Sequence, residues 1–523
     1  MPDTIAKQFS RMDGARDRMM KRLRQCSLFS LPWILPVTED KPSEDDLPET
    51  FQTMGAEGVK SLQGRLVTAL FPVGTPWFGF RPTPELDSRM DDETRDEVRK
   101  YLDLVELQVQ GQLDQTNYRK AFRSIIENGI VTGNWAYGVI DESPEWAPSS
   151  LPPYSIKVFR LDQYVVKRAG DGGILTAIIK ETVDPLEISE HMAGMAQLNL
   201  QDFIDRHPGQ DIPIYTHVRR QSDMSWVVTQ EMNDHVIGEP SEHRKDVLPF
   251  DFGRYDEPSG HDYGRGMCEI LLGSLRSHNG LSRAILEMAA ASSRVIGVKD
   301  QSSPTTIHEL STLGNGKFVI GNVRGGQVQD IAFLASNLGG DFAIAASENH
   351  RVEERLGKAF LMESAVQPTG ERVTATQIMR LAGELDGRLG DVYSGMSEMQ
   401  GPYLRRVVYM MERDNIIETQ SDDNVQVTLM TGLEALRRSQ DLTKLVSVLQ
   451  MVAQIPGSTE RINWKVVNDR VFSLTGIDVR GIVKSDEQLA MEQQQAMEQA
   501  AMEQAASKAV DVGGNIVAQQ EAA

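Results

Sequence analysis

The chain has 523 residues, 40% of them hydrophobic, which suits roughly three domains with real cores. Its formal charge of −21 argues against a protein that grips nucleic acid by charge neutralisation, because such binders present a strongly basic domain. Cys26 and Cys268 form no disulfide framework and read as idle, buried thiols of a reducing compartment.

No basic start followed by a long apolar stretch marks a leader, and the longest apolar run, 28–37, is broken by Pro32 and Pro36 and too short to span a bilayer. The expectation is a protein neither secreted nor membrane-embedded. Residues 4–24 have a helical pattern with basic side chains at Lys7, Arg11, Arg16, Arg18, Lys21, Arg22 and Arg24, a solvated face or one that meets an anionic partner. Leu31-Pro32-Trp33-Ile34-Leu35-Pro36 is expected to be extended and draped over a neighbouring surface, with the acidic run 39–49 as a loop. Val59, Leu62, Leu66 and Leu70 recur at 3, 4 and 4, a helix that Pro72 and Gly74 end, and the aromatics at 71, 77 and 78 plug a core. Residues 91–113 and 118–129 read as further helices, and 135–140 as a strand.

Between 154 and 236 the period changes. Strands are predicted at 154–159, 164–167, 174–181, 214–219 and 225–230, with a hairpin turn at Asp171-Gly172-Gly173 and a helix over 186–206. This is an antiparallel β region flanked by helices. Tyr263-Gly264-Arg265-Gly266 then opens a long helix whose stripe is Leu271, Leu275, His278, Leu281, Ile285 and Met288. His278 on that stripe reads as a hydrogen-bonded core or interface residue rather than a ligand. Residues 295–333 form a compact α/β insertion, with strands at 295–299 and 317–321, a short helix at 304–312 and a turn at Gly325-Gly326.

A second long helix, 342–362, carries Phe342, Ala345, Val352, Leu356 and Ala359, with Asn349 in the one polar slot. The polar stretch 363–372 breaks it, since Pro368 cannot donate within a helix and Gly370 favours a turn. Ile378, Leu381, Leu385, Leu389, Val392, Met396 and Met399 then stripe a helix over 374–414 that would span roughly 60 Å if unbroken, with a kink at Gly401-Pro402. Such a rod suits a subunit packed beside copies of itself. A strand at 425–429, helices at 433–454 and 464–475, and a tail with Ala-Met-Glu-Gln at 490, 496 and 501 complete the chain. The tail is read as helix, frayed from Val512.

The search for catalysis is unrewarding. Gly314-Asn315-Gly316-Lys317 lacks the upstream glycine of a phosphate loop, and Phe318 stands where a hydroxyl should hold magnesium. The nine histidines show no zinc spacing, and no nucleophile elbow appears. The chain reads as a non-enzyme with no cofactor and no metal.

Several local motifs resemble the portal (head-to-tail connector) proteins of T7-like short-tailed bacteriophages, over about residues 51–445. They are Gly55-Ala56 through Leu70-Phe71-Pro72, Leu248-Pro249-Phe250 with Tyr263-Gly264-Arg265-Gly266, Ser364-Ala365-Val366-Gln367 with Thr369-Gly370-Glu371-Arg372-Val373-Thr374, and Thr431-Gly432-Leu433-Glu434-Ala435-Leu436. The resemblance implies an α+β, predominantly α-helical portal fold that forms rings. Residues 1–262 would be the wing, 263–294 a stem helix, 295–335 the clip and 341–362 the second stem helix. Residues 363–373 would be the tunnel loop, 374–430 the long wing helix and return strand, and 431–523 the crown with its helical tail.

It further implies a dodecamer at one capsid vertex of the virion, assembled in the host cytoplasm, through which double-stranded DNA enters at packaging and leaves at ejection. Terminase, then tail adaptor proteins, would dock on the clip; capsid, scaffolding and internal core proteins are further implied partners, and a membrane is not. Gln367, Thr369 and Arg372 are the candidates to touch DNA in the tunnel loop. Lys299, His308, Lys317 and Arg324 are the clip docking candidates, and Leu275, Ile285, Val352 and Leu356 the subunit-interface candidates. A mostly acidic or neutral tunnel lets DNA slide, while a few basic groups touch the backbone without reading sequence. The competing readings are another head–tail ring adaptor and a nucleotide-driven translocase; the second would need the missing phosphate loop.

Overall fold

The computed structural model describes residues 4–36, 49–71, 77–141, 154–245, 247–292, 296–299, 323–324, 327–328, 331–334, 339–362, 390, 392, 395–417 and 425–429. They belong to one compact unit, Met1–Leu433; the second, Glu434–Ala523, lies outside the described residues, as do the predicted elements at 39–48, 304–312, 317–321, 433–454 and 464–475 and the tail. Helix and strand are mixed, with helix the larger share.

The helix expected over 4–24 is two, α1 (Ile5–Ala15) and α2 (Asp17–Leu28). The break falls at Arg16, whose guanidinium turns inward: it pairs with Asp13 at 2.8 Å and lies 5.3 Å from the ring centre of Tyr263. A solvated face therefore describes Lys7, Arg11, Arg18 and Lys21 but not Arg16. Residues 31–36 are turns rather than the extended segment expected. They turn back on their own chain, with Leu31, Ile34 and Leu35 buried and the Ser27 hydroxyl donating to the Leu31 carbonyl at 2.7 Å while accepting from the Leu35 amide at 3.0 Å. Prolines stiffen the segment, but burying three apolar side chains decides where it goes.

Next come α3 (Met54–Leu70), β1 (Phe78–Pro82), α4 (Pro84–Arg89), α5 (Asp92–Gln115) and α6 (Tyr118–Thr132). Val59, Leu62, Leu66 and Leu70 are fully buried, as their spacing requires. Asp91 caps α5 by accepting from the Thr94 amide at 3.3 Å, and Gly133 ends α6 at φ 76°. Strands β2 (Asn134–Asp141), β3 (Tyr154–Phe159), β4 (Tyr164–Arg168) and β5 (Ile174–Val183) follow. Gly172, at φ 85°, makes the predicted β4–β5 turn. The helix expected over 186–206 is two short ones, α7 (Glu190–Met195) and α8 (Leu200–Arg206), because Ser189 and Asn199 each cap a new start. Then come β6 (Ile212–Arg220), β7 (Trp226–Met232), β8 (His235–His243) and β9 (Phe250–Arg254). Strands β4 to β8 form an antiparallel meander in chain order, and β2 is the centre of a three-stranded sheet between β3 and β9.

After α9 (Met267–Ile270) and α10 (Leu272–Ser292) lie β10 (Ile296–Lys299), β11 (Val323–Arg324), β12 (Gln327–Val328) and β13 (Ile331–Leu334). They lead to α11 (Gly339–Ala359), α12 (Gln400–Arg413) and β14 (Val425–Leu429). Of the rod expected over 374–414, residues 374–389, 391 and 393–394 lie outside the described residues; in the remainder 395–397 are helical, Glu398 and Met399 turn, and α12 follows. Pro402 is the third residue of α12 and cannot donate to the Glu398 carbonyl, so the irregularity expected at Gly401-Pro402 takes the form of this short break at Glu398 and Met399. Val392, Met396 and Met399 still face the core. β14 pairs antiparallel with β1, Phe78 opposite Leu429, so the last described strand returns to the first strand of the chain.

The main core is centred on an aromatic cluster in which Phe71 and Phe122 stack at 4.5 Å, with Trp77, Tyr118, Tyr137 and Tyr403 around them. Cys26 and Cys268 are buried, free thiols; burial pushes Cys26 up to about 12 and raises Cys268 as well.

Candidate functional site

The insertion between two long helices is the distinctive feature, and it is built from the helices outward. α10 and α11 lie side by side, and a polar key joins them: His278 Nδ1 is 2.9 Å from Asn349 Oδ1, and Asn349 Nδ2 donates to Ser282 Oγ at 3.3 Å. His278 and Ser282 are four residues apart on one face of α10, so one asparagine reaches both. Below the key, Leu275, Leu356 and Phe360 are fully buried. Beyond it, Leu286, Phe342 and Ile344 are exposed.

At the far end of the pair, β10 and β13 form an antiparallel ladder, Ile296 opposite Leu334 and Lys299 opposite Ile331. β11 and β12 pair on either side of the predicted Gly325-Gly326 turn. The chain thus leaves one helix and returns to the next through a paired base.

The near end is anchored by the Tyr263-Gly264-Arg265-Gly266 motif. The Asn134 amide side chain accepts from Gly264 N at 2.8 Å and donates to Gly264 O at 3.3 Å. A Cβ on Gly264 would lie 2.6 Å from the Gly133 carbonyl oxygen, and one on Gly266 2.6 Å from Gly133 N, so only glycine lets the strands approach here. Tyr263 accepts from the Val166 amide at 3.1 Å and supports Arg16. Arg22 meets the buried Glu269 at 2.6 Å, and Asn279 accepts from Phe51 N at 2.8 Å. On α3, a Cβ at Gly58 would fall 2.4 Å from the Phe360 ring, which seats the end of α11. The 263–266 segment was flagged in sequence only as a motif; its partners lie 97 to 247 residues away in the chain.

Beside this anchor, Trp135 Nε1 donates to Asp251 Oδ2 at 3.2 Å. Burial pushes the Asp251 carboxyl up to about 6, against the pull of Trp135, Arg168 and Arg405.

Of the sequence candidates, Lys299 stands at the end of β10 and Arg324 is exposed in the β11–β12 pair. His308, Lys317, Gln367, Thr369 and Arg372 lie outside the described residues. Leu275 and Leu356, taken as subunit-interface residues, are instead consumed by the chain's own core, because α3 and the rest of the main core close over that end of the helix pair. Val352 packs against the same core, and Ile285 remains half-buried. Among the described residues no cluster of metal-ligating side chains occurs, and no helix is long and apolar enough to cross a membrane.

The model of the bacteriophage head to tail connecting protein family matches residues 2–483. The chain belongs to this family. The connector is 30% identical over 527 residues to the portal protein of Escherichia phage T7, covering 98% of this chain and 94% of that protein. It is 29% identical over 529 residues to the portal protein of Enterobacteria phage T3, with the same coverage, and 24% identical over 521 residues to that of Enterobacteria phage SP6, covering 97% and 95%. The family is that of the T7-like short-tailed phage portals, structural connectors at the portal vertex of the virion capsid. Such a connector is a ring oligomer with capsid and tail partners.

Proposed function

We propose that this connector closes into a dodecameric ring at one capsid vertex and conducts double-stranded DNA during packaging and ejection. Terminase docks first and tail adaptors afterwards, on the end of the α10–α11 pair that carries the β10–β13 ladder. The observation that carries the reading is the likeness to portal proteins along 98% of the chain, helix pair and insertion included. In this reading 263–294 and 341–362 are the stem, 295–335 the clip, 363–373 the tunnel loop and 431–523 the crown. Lys299 and Arg324, with His308 and Lys317, face the docking partners, and Gln367, Thr369 and Arg372 face DNA. The net charge of −21 suits a conduit that must not hold its cargo, since every neutralised phosphate adds to affinity. The ring has no catalytic role, and the motor brings its own ATPase. Electron microscopy of the purified protein should show rings with a central hole; monomers and dimers alone at high concentration would overturn the reading.

A further inference from the structure

Two helices of the chain end in the same turn, built from different residues. At the end of α12 the Asn415 amide donates to the Glu412 carbonyl at 3.0 Å and the Ile416 amide to the Met411 carbonyl at 2.9 Å, with Asn415 at φ 55°. At the end of α11 the Leu361 amide donates to the Lys358 carbonyl at 3.4 Å and the Met362 amide to the Gly357 carbonyl at 2.9 Å, with Leu361 at φ 57°. Both are the left-handed cap that glycine or asparagine normally supplies. Asparagine tolerates that conformation, and Asn415 is exposed. A leucine does not, because its Cβ crowds the following carbonyl oxygen. The other described non-glycine residues at positive φ, namely Gln197, Met224, Asn233, Asp234 and Asn415, are all exposed. Leu361 is 3% exposed and belongs to the main core.

Helix geometry gives the reason for the strain. Val352, Leu356 and Phe360 mark the face of α11 turned to the core, and Phe360 is seated against Gly58. A helix continued past Phe360 at about 100° per residue would swing Leu361 roughly 140° from Leu356, out to the solvent side. The left-handed turn folds it back inward. Burial therefore holds Leu361 in a conformation that its backbone resists, and the two effects are of the same order for a leucine. The sequence does not enforce the stop: Met362 is a good helix former, and the next proline is Pro368.

We propose that Leu361 is a conformational switch: α11 stops before it while its side chain is in the core, and runs on through Met362 when the side chain leaves. In the second state Leu361 takes the right-handed helical conformation, Phe360 keeps its seat against Gly58, and the core gives up one leucine. The point at which the chain leaves α11 moves with the switch, and residues 363–373, read above as facing DNA, start from that point. The switch is a property of the single chain and goes beyond the ring reading without depending on it.

The test uses the full-length chain. Under native conditions the thiol of Leu361→Cys should react with a maleimide at least a hundredfold faster than Cys26 and Cys268, which are buried in the same core and report global opening. A rate equal to theirs would overturn the proposal. Fraying of the helix end would also expose this thiol, so the structures of two further variants separate fraying from switching. Leu361→Ala removes the buried side chain but keeps the left-handed penalty, and α11 should continue through Met362. Leu361→Gly removes both, and α11 should stop before residue 361 as in the parent. An alanine variant that keeps the left-handed turn, or whose helix shortens, would overturn the switch and leave the ring reading intact.

Discussion

The His278–Asn349–Ser282 key shows what a polar side chain does between two otherwise apolar helices. It adds little net stability when complete but penalises every other register, because a shifted pairing leaves buried donors and acceptors without partners. Asn349→Leu should destabilise the protein by ~1–3 kcal/mol by orphaning His278. The double change His278→Leu with Asn349→Leu should cost less than the two single changes summed, read from urea midpoints. Asp251 supplies a second test. Its folded value of about 6 lies above the ordinary 3.8, so the native state holds the proton more tightly than the unfolded chain. The cost of ionising it is full above pH 6 and relieved as pH falls from about 6 towards 4. Asp251→Asn keeps an acceptor for Trp135 and should be more stable than the parent by ~1–3 kcal/mol at pH 8, the difference closing by pH 4. A difference constant with pH would show that the carboxyl is not desolvated. The stripe position of His278 gives its hydrogen-bonded role from sequence, but its partner Asn349 needs the helix register, and nothing in the neighbours of Asp251 gives its burial.

At the scale of elements, the long periodic segments were legible and the short ones were not. α3, α5, α6 and α10 follow from apolar spacing alone, since each contributes a stripe that must face the core. β1 and β14 depend on each other across nearly the whole described chain; β14 was predicted from its own residues, while β1 was seen only as a core plug. β8 and β9 were missed because an edge strand mixed with Gly238, Pro240 and charges has no clean alternation, and β9 has only five residues. The pairing of Lys299 with Ile331 gives a clean way to test the insertion. Deleting residues 300–330 and joining β10 to β13 through an Asn-Gly turn keeps the ladder. Ring assembly should be unchanged by electron microscopy, and terminase binding should be lost in a pull-down; normal packaging by this variant would remove the docking role.

For the whole molecule, a net charge of −21 argues against a tight grip on nucleic acid, and two cysteines make no disulfide scaffold. A ring that conducts DNA needs position and weak contact, so the expected effect of Arg372→Ala is altered DNA retention in filled particles with ring assembly spared. Nuclease sensitivity of packaged DNA measures it, and unchanged retention would strike Arg372 from the contact residues. By itself the sequence determined the helix–insertion–helix order, the β region and the motifs that mark the family, because these are local patterns repeated along one strand of chain. Only the tertiary structure decided that residues 31–36 fold inward, that Arg16 is buried, and that Leu275 and Leu356 are spent in the core. Burial is a property of what packs against a residue from elsewhere in the chain, and no local pattern records it.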